Sequence, residues 1–188
     1  MNISYYYYYF KPLVPRNLQI FLRRKIAMGK KKMRADIWPI HPEAADRPAG
    51  WTGWPGGKKF ALVLSHDVDS IKGYKKCLEL MKLEQEIGFK STFNFVPEGY
   101  NCSPEIRNTL AKNGFGLGLH GLTHDGRVFQ NKKKFNRAVP RINGYLHDWQ
   151  IKGFSSPSML GNLDWISQVD IDYDCSTFDT DPFEPQAN

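Results

Sequence analysis

The sequence predicts an α/β fold, and three features of its pattern indicate it. Short apolar runs of strand length recur along the chain, segments with helical spacing separate them, and the two kinds alternate. With 188 residues, of which 41% are apolar, the chain has room for one such domain around a buried core. This alternation is typical of successive βαβ units in a parallel sheet, but periodicity leaves open whether the sheet closes into a barrel.

Five apolar runs are the predicted strands. The first, residues 60–64, reads FALVL and is a continuous run of the kind that is buried on both faces of a parallel sheet. The other four predicted strands lie at residues 91–96, 114–119, 151–154 and 171–175. Because parallel strands end at one edge of the sheet, we expect the chemistry in the loops at that edge.

Four helices are predicted between the strands, at residues 74–81, 103–114, 131–149 and 162–169. Gly88 suits the end of the first helix. Ser103 and Pro104 form an N-cap and first-position pair that opens the second. Pro140 predicts a kink or a break in the third helix, and Asn162 can cap the fourth.

The basic residues are concentrated in an N-terminal arm. Residues 1–34 contain nine Lys or Arg and no Asp or Glu, so the chain's net charge of +7 belongs to this arm and the remainder is nearly neutral. The arm also contains five consecutive tyrosines, at positions 5–9. A linker rich in proline and glycine, with two tryptophans, follows it. We therefore predict two parts, an arm with its linker over residues 1–57 and an α/β domain over residues 58–188.

The arm has more than one interpretation. Basic residues interleaved with Leu18, Phe21 and Ile26 suit binding to a membrane surface or to nucleic acid. A short amphipathic helix that packs its apolar side on the domain gives the same pattern, and we favour it. Nucleic acid is therefore not an expected partner, while peripheral membrane contact through the arm stays open.

The sequence also bears on the compartment. No run reaches the eighteen or so apolar residues of a membrane span, so we expect no transmembrane segment. The first ten residues lack the basic start and aliphatic core of a signal peptide. The three cysteines form no C-x-x-C pair, which fits a reducing environment. We therefore expect a cytoplasmic protein.

Two motifs place candidate metal ligands after predicted strands. SHDVD contains Asp67 and Asp69, and HGLTH contains His120 and His124. Two imidazoles four positions apart can face one point across a turn, and a carboxylate from another strand end completes a ligand set for a divalent ion. The second carboxylate is then free to act as a base. Taken separately, D-x-D is a common turn device and H-x-x-x-H is often incidental.

The other three histidines fit no such cluster. His66 lies inside the first motif but points away from Asp67 if the strand continues, so we expect it in the core or behind the ligands. His41 in the linker and His147 in a predicted helix are expected at the surface.

Four motifs, in this order, resemble those of the polysaccharide deacetylase family, the NodB-homology carbohydrate esterases. They are SHDVD, LHGLTH, GFSSPS and YDCSTFDTD, and the resemblance covers about residues 58–181. It implies a distorted (β/α) barrel and an enzyme that removes N- or O-acetyl groups from carbohydrates. It also implies one divalent metal ion, commonly zinc, although nickel, cobalt and iron accept the same ligands.

The resemblance assigns roles to individual residues. Asp67 corresponds to the general base that accepts a proton from water, and Asp69, His120 and His124 correspond to the metal ligands. Ser158 lies where the family uses a backbone N–H to help hold the oxyanion.

Two departures from the family pattern predict weak turnover or none. Ser155 stands where the third motif normally begins with an arginine that pairs with the catalytic aspartate. No histidine follows His147, so the sequence lacks the late histidine that serves the family as general acid. The five predicted strands are also fewer than the family's barrel has, and we expect an incomplete, C-terminally truncated barrel.

Two other functions agree with the sequence. One is a non-catalytic relative that retains the pocket and binds carbohydrate. The other is an interaction protein that works through the basic N-terminal arm, with the α/β domain as a scaffold.

Overall fold

The computed structural model of the chain describes residues 14–36, 49–159 and 161–176. Its contacts divide the chain into two units, with one boundary between Gly53 and Trp54. The first unit contains helix α1, Arg16–Met33, and the second contains a parallel sheet with the remaining helices.

The described part of the second unit contains five helices and five strands. The helices are α2 Ile71–Tyr74, α3 Cys77–Glu86, α4 Pro104–Lys112, α5 Lys132–Trp149 and α6 Leu163–Ile166. The strands are β1 Ser65–Val68, β2 Thr92–Phe95, β3 Gly116–His120, β4 Gly153–Ser155 and β5 Tyr173–Asp174. Short 3₁₀ turns occupy Pro55–Gly57, Arg127–Gln130 and Pro157–Met159.

The five strands form one sheet in the order β1-β2-β3-β4-β5, and every neighbouring pair is parallel. Strands that are consecutive in the chain are therefore neighbours in space, as successive βαβ units require. The predicted α/β fold with five strands is confirmed. Among the described residues the sheet does not close, because β1 and β5 each pair on one side only.

The start of the first strand differs from the prediction. Residues 60–64 precede β1 rather than forming it, and Phe60 and Val63 are largely exposed at 78% and 77%. The ladder begins where β2 offers a partner, since Ser65 pairs with Thr92. Leu64 contributes only its carbonyl, which accepts the N–H of Thr92 at 3.0 Å. The prediction of a doubly buried strand at residues 60–64 was wrong.

One face of the sheet packs against the helices. Large apolar side chains alternate along the strands on this face, including Phe93, Phe95, Leu119 and Phe154, and each is no more than 1% exposed. Apolar residues of α3, α4 and α5 complete two buried clusters with them. Period-2 alternation places the intervening residues of the same strands on the opposite face.

That opposite face is polar and glycine-rich. The register aligns Asp67, Asn94, Gly118, Gly153 and Tyr173 across all five strands. The next row toward the carboxyl edge contains His120 beside Ser155, followed by the loops after β3 and β4. The two rows contain Asp67 and His120, and the other candidate site residues, Asp69, His124 and Ser158, follow in the loops beyond the strands.

The helix boundaries follow the predicted caps. Ser103 accepts the backbone N–H of Glu105 at 3.1 Å, and Asn162 accepts that of Trp165 at 3.1 Å. Helix α5 continues through Pro140 to Trp149, so the predicted break does not occur. Pro140 is exposed, and the carbonyl four residues earlier, freed by the missing N–H, belongs to an exposed residue that water can solvate.

The arm forms the predicted helix, α1, but none of its residues is buried. Leu18, Phe21 and Ile26 are about half exposed or more. The Lys25 ammonium group lies 5.6 Å from the centre of the Phe21 ring. No helix of the described residues is both long and apolar enough to cross a bilayer.

Candidate metal centre

Three candidate ligands meet at the carboxyl edge of the sheet. His120 is the last residue of β3, His124 follows in the next turn, and Asp69 lies just after β1. Asp69 Oδ1 is 3.4 Å from His120 Nε2 and 3.3 Å from His124 Nε2. One ligand atom from each residue lies within 4.8 Å of the others.

These distances fit a single divalent ion. Zinc binds nitrogen and carboxylate oxygen at about 2.0–2.1 Å, so the atoms of a tetrahedral set lie about 3.4 Å apart. The two separations from Asp69 match that value. Two imidazoles and one carboxylate also leave coordination positions free, as in metal sites that act on water or a carbonyl.

The surroundings of His120 direct one nitrogen toward this point. Its Nδ1–H donates to the backbone carbonyl of Ser155 at 3.2 Å, and the Ser155 hydroxyl oxygen is equally near. Asp67 Oδ1 lies 3.5 Å from the same nitrogen. Three acceptors around Nδ1 keep the proton there, so the Nε2 lone pair faces Asp69 and His124.

His120 is also held in its neutral form. Its side chain is only 3% exposed. Burial lowers the pKa of His120, against the opposing influence of the Asp67 and Asp69 carboxylates. A neutral imidazole is the form that a metal ion would need, so burial favours the form of His120 that could act as a ligand.

Asp67 is positioned by an amide rather than by an arginine. The Asn94 side chain lies next to it in the register and donates an Nδ2–H to Asp67 Oδ1 at 3.0 Å. Asn94 is 2% exposed, so the donor of this hydrogen bond is buried, while the Asp67 side chain is 40% exposed and stays open to solvent. Gly118 leaves the space for it, because a Cβ there would lie 2.3 Å from Asn94 Oδ1.

The loop after β4 packs against the loop after β3. Gly121 has φ +66°, and a Cβ added to it would lie 2.8 Å from Pro157 Cδ. Ser158, the next residue, has φ 57° and ψ 23°, the left-handed conformation that a residue with a side chain rarely adopts. Strained backbone of this kind clusters at functional sites, where it directs a group that a relaxed turn would turn away.

The structure resembles two solved deacetylases. One is the Streptococcus pyogenes deacetylase PplD, solved with acetate, at 16% identity and a TM-score of 0.51, covering 69% of this chain and 60% of that one. The other, from Mycobacterium smegmatis, is described as a polysaccharide deacetylase, at 19% identity and a TM-score of 0.50, covering 64% and 50%. The fold is that of the polysaccharide deacetylases.

The chain spans only 50–60% of the length of these two neighbours. No protein-family model and no curated protein matches the sequence. The neighbours thus confirm the deacetylase fold that the motifs indicated.

Within the deacetylase fold, the structure brings four of the five predicted site residues together and places the fifth in an adjoining loop. Asp67 Oδ1 lies 3.5 Å from His120 Nδ1, and Asp69 Oδ1 lies 3.4 Å from the other ring nitrogen, His120 Nε2. Ser158 is in the loop after β4, whose proline contacts the His120-Gly121 turn. Their roles stay predictions.

The predicted positions of the other histidines can also be compared with the structure. His66 is half-buried behind the ligands on the helix-covered face, where its ring lies beside Phe93 and its Nε2–H donates to the buried Glu84 carboxylate at 2.7 Å. His147 is on the exposed surface of α5, as expected. His41 lies outside the described residues. Asn94 was missed, although the alternation of polar and apolar residues in the TFNF segment could have indicated it.

Proposed function

We propose that this chain is a metal-dependent hydrolase that removes acetyl groups from an N-acetylated or O-acetylated carbohydrate. The observation that carries the proposal is the meeting of Asp69, His120 and His124 at ligand distances in a deacetylase fold. These three residues would hold one divalent ion, with zinc the best match to the donor set. Such an ion supplies Lewis acidity and makes water a nucleophile near neutral pH.

Asp67 is the proposed general base. Its carboxylate lies beside the ligand set, near His120 Nδ1, and accepts a hydrogen bond from the Asn94 side-chain amide. The amide donates to one carboxylate oxygen and leaves the other available to accept a proton. Asn94 thus supplies, without a charge, the orientation that an arginine gives in related enzymes.

The proposal assigns both proton transfers to Asp67. Among the described residues outside the ligand set, the histidines are His66 and His147, the first bonded to Glu84 and the second on the exposed side of a helix. Neither is placed to protonate a leaving group at the site. An Asp67 that has taken up a proton can return it to the departing nitrogen or oxygen.

Ser158 is the proposed source of an oxyanion-stabilising N–H. Its left-handed conformation and the contact between Pro157 and Gly121 support this role, because together they fix the loop after β4 against the loop of the histidines. A preorganised donor lowers the barrier because it does not reorganise as charge develops on the carbonyl oxygen.

Zinc titration by calorimetry tests the metal centre. We expect one ion per chain, with binding lost in Asp69→Ala and in His120→Ala and retained in the matched control His147→Ala. Circular dichroism establishes that each variant is folded. Equal binding by all four proteins would overturn the assignment of the ligands.

Acetate release tests the reaction. With zinc and an N-acetylglucosamine oligomer, we expect release by the unaltered chain and its loss in Asp67→Asn, which keeps the shape of the side chain and the bound zinc. Saturable sugar binding without release by either protein would instead support a non-catalytic carbohydrate-binding protein.

A second proposal concerns helix α1, which we propose contacts an anionic membrane surface. The helix has seven basic and no acidic residues, and its apolar side chains, among them Leu18, Phe21 and Ile26, are exposed. We expect co-sedimentation with vesicles containing phosphatidylserine, weakened by Phe21→Ala with Ile26→Ala and by salt. Equal sedimentation with neutral vesicles, or none at all, would contradict it.

A further inference from the structure

A cavity of about 240 Å³ opens at the same edge of the sheet as the candidate metal centre and contains none of the proposed ligands. Its walls come from the loop after β2, the loop after β3 and the first half of α5. The two loops are joined where the N–H of Glu98 donates to the carbonyl of Leu122 at 3.0 Å. Thr123, directly before His124, also lines the cavity, so it borders the proposed site.

The charged side chains of this cavity are mostly basic. Four basic residues and one acidic residue line it. The basic residues are Arg127, Lys134, Arg137 and Arg141, and the acidic residue is Glu98. Glu98 pairs with Arg141, and Asp125, outside the lining, lies 3.4 Å from the Nε of Arg127. Lys134 donates to the Gln130 amide oxygen. Within the described residues no carboxylate pairs with Lys134 or Arg137, which leaves two positive charges uncompensated.

The position of these cations on α5 is selective. Lys134, Arg137 and Arg141 are three and then four residues apart, so they share one face of the helix. Lys132 and Lys133, on the same first turn, do not line the cavity. All five side chains are exposed, and the three that line the cavity are distinguished by the helix face they share.

The base of the cavity is apolar. Leu122 and Ala138 line it and are 2% and 5% exposed. Low-dielectric walls focus the field of nearby charges and strengthen their attraction for an anion. Apolar surface beside charged groups also suits a sugar ring that bears a carboxylate, since the ring and the charge can be bound together.

We propose that this cavity binds a carboxylate group of the carbohydrate, and hence that the substrate is an acidic glycan with uronate-type residues near the acetylated sugar. The inference rests on the proposed deacetylase function. A singly charged carboxylate matches the two uncompensated cations, and the planar guanidinium of Arg137 can bind both carboxylate oxygens. The cavity would thereby select the polymer, while the metal centre acts on the acetyl group.

Calorimetry with two oligosaccharides of equal length tests the proposal on the full chain loaded with zinc. One probe alternates N-acetylglucosamine with glucuronate, and the other contains N-acetylglucosamine alone. We expect the acidic probe to bind about tenfold more tightly at low salt. The advantage should disappear in Lys134→Gln with Arg137→Gln and persist in the control Lys132→Gln with Lys133→Gln.

Several results would overturn the proposal. They are equal affinity for both probes, no binding of either, or the same loss in the control pair as in the cavity pair. Zinc binding, measured on every variant, should not change. Acetate release from the neutral probe without any preference would disprove the acidic subsite and retain the deacetylase. Cavity-dependent binding of the acidic probe without release from any substrate would disprove the deacetylase and retain the subsite.

Discussion

The two faces of the sheet use the same strands for different purposes. On the helix-covered face the central strands present large apolar side chains, such as Phe93, Phe95 and Leu119, that are essentially inaccessible to solvent. On the other face the same strands present Asn94 and Gly118 in one row. The difference shows that stability and chemistry are separated by the alternation of the strands, one residue apart in sequence.

This separation implies that neighbouring substitutions should have different consequences. A change on the apolar face should act on the free energy of unfolding and reach the site only through unfolding. A change on the polar face should act on the site while the packing behind it persists.

The largest effect is expected from Phe95→Ala. The side chain is fully buried among residues of α3 and α4, so its removal leaves a cavity and should cost about 3–5 kcal/mol of unfolding free energy. Urea denaturation measures it. Val63→Ala, which truncates an exposed side chain, is the control and should change stability little. Equal costs for the two would mean that Phe95 is not part of the core.

Gly118→Ala should be next, through a clash rather than a cavity. The new Cβ would meet Asn94 Oδ1 at 2.3 Å and the Gly153 carbonyl at 3.3 Å, so we expect a loss of about 1–3 kcal/mol together with displacement of the amide from Asp67. Asn94→Ala in the same chain removes the first clash. The double variant should therefore be less destabilised than the sum of the single ones, as a double-mutant cycle would measure.

Asn94→Leu should separate activity from stability most clearly. It keeps the branched shape of the side chain but removes the donor to Asp67, and the loss of one hydrogen bond to a charged group corresponds to a decrease of about 10- to 100-fold in acetate release. Zinc binding should change little, and the urea midpoint measures the cost of the larger methyl groups at this buried position. Thr92→Val, on the same face one pleat away, is the control. If both variants reduce the rate equally, Asn94 is not a positioning residue.

Ser158→Gly should have the smallest effect, and it should be stabilising. Glycine adopts the left-handed conformation without steric cost, so we expect up to about 1 kcal/mol of added stability. Acetate release should persist because the backbone N–H remains. Thermal denaturation measures the shift, and a destabilised variant would mean that the Ser158 side chain has contacts that outweigh the strain.

Much of the fold could be predicted because most elements are encoded locally. The caps at Ser103 and Asn162 occupy the predicted positions, and the four later strands overlap their predicted runs. Residues 60–64 are the exception. Apolar composition does not determine where a ladder begins, because that depends on the partner strand, and the pairing of β2 starts opposite Ser65.

The candidate site was predictable in part for the same reason. Its ligands are adjacent to strand ends, and a parallel sheet brings such positions to one edge. Asn94 was not found because its partner, Asp67, is 27 residues away and the contact depends on the β1–β2 register. The cationic cavity is formed by two loops and one face of a helix, and the sequence pattern does not show that these three segments lie together.

The unequal exposure of the three candidate ligands has a kinetic consequence. The His120 side chain is 3% exposed, whereas those of Asp69 and His124 are 51% and 37% exposed. If these residues hold an ion as proposed, Asp69 and His124 would be the ligands that solvent and a chelator can reach, while His120 would be held within the fold. Retention of the ion against a chelator would then depend on how firmly the two surface loops are held.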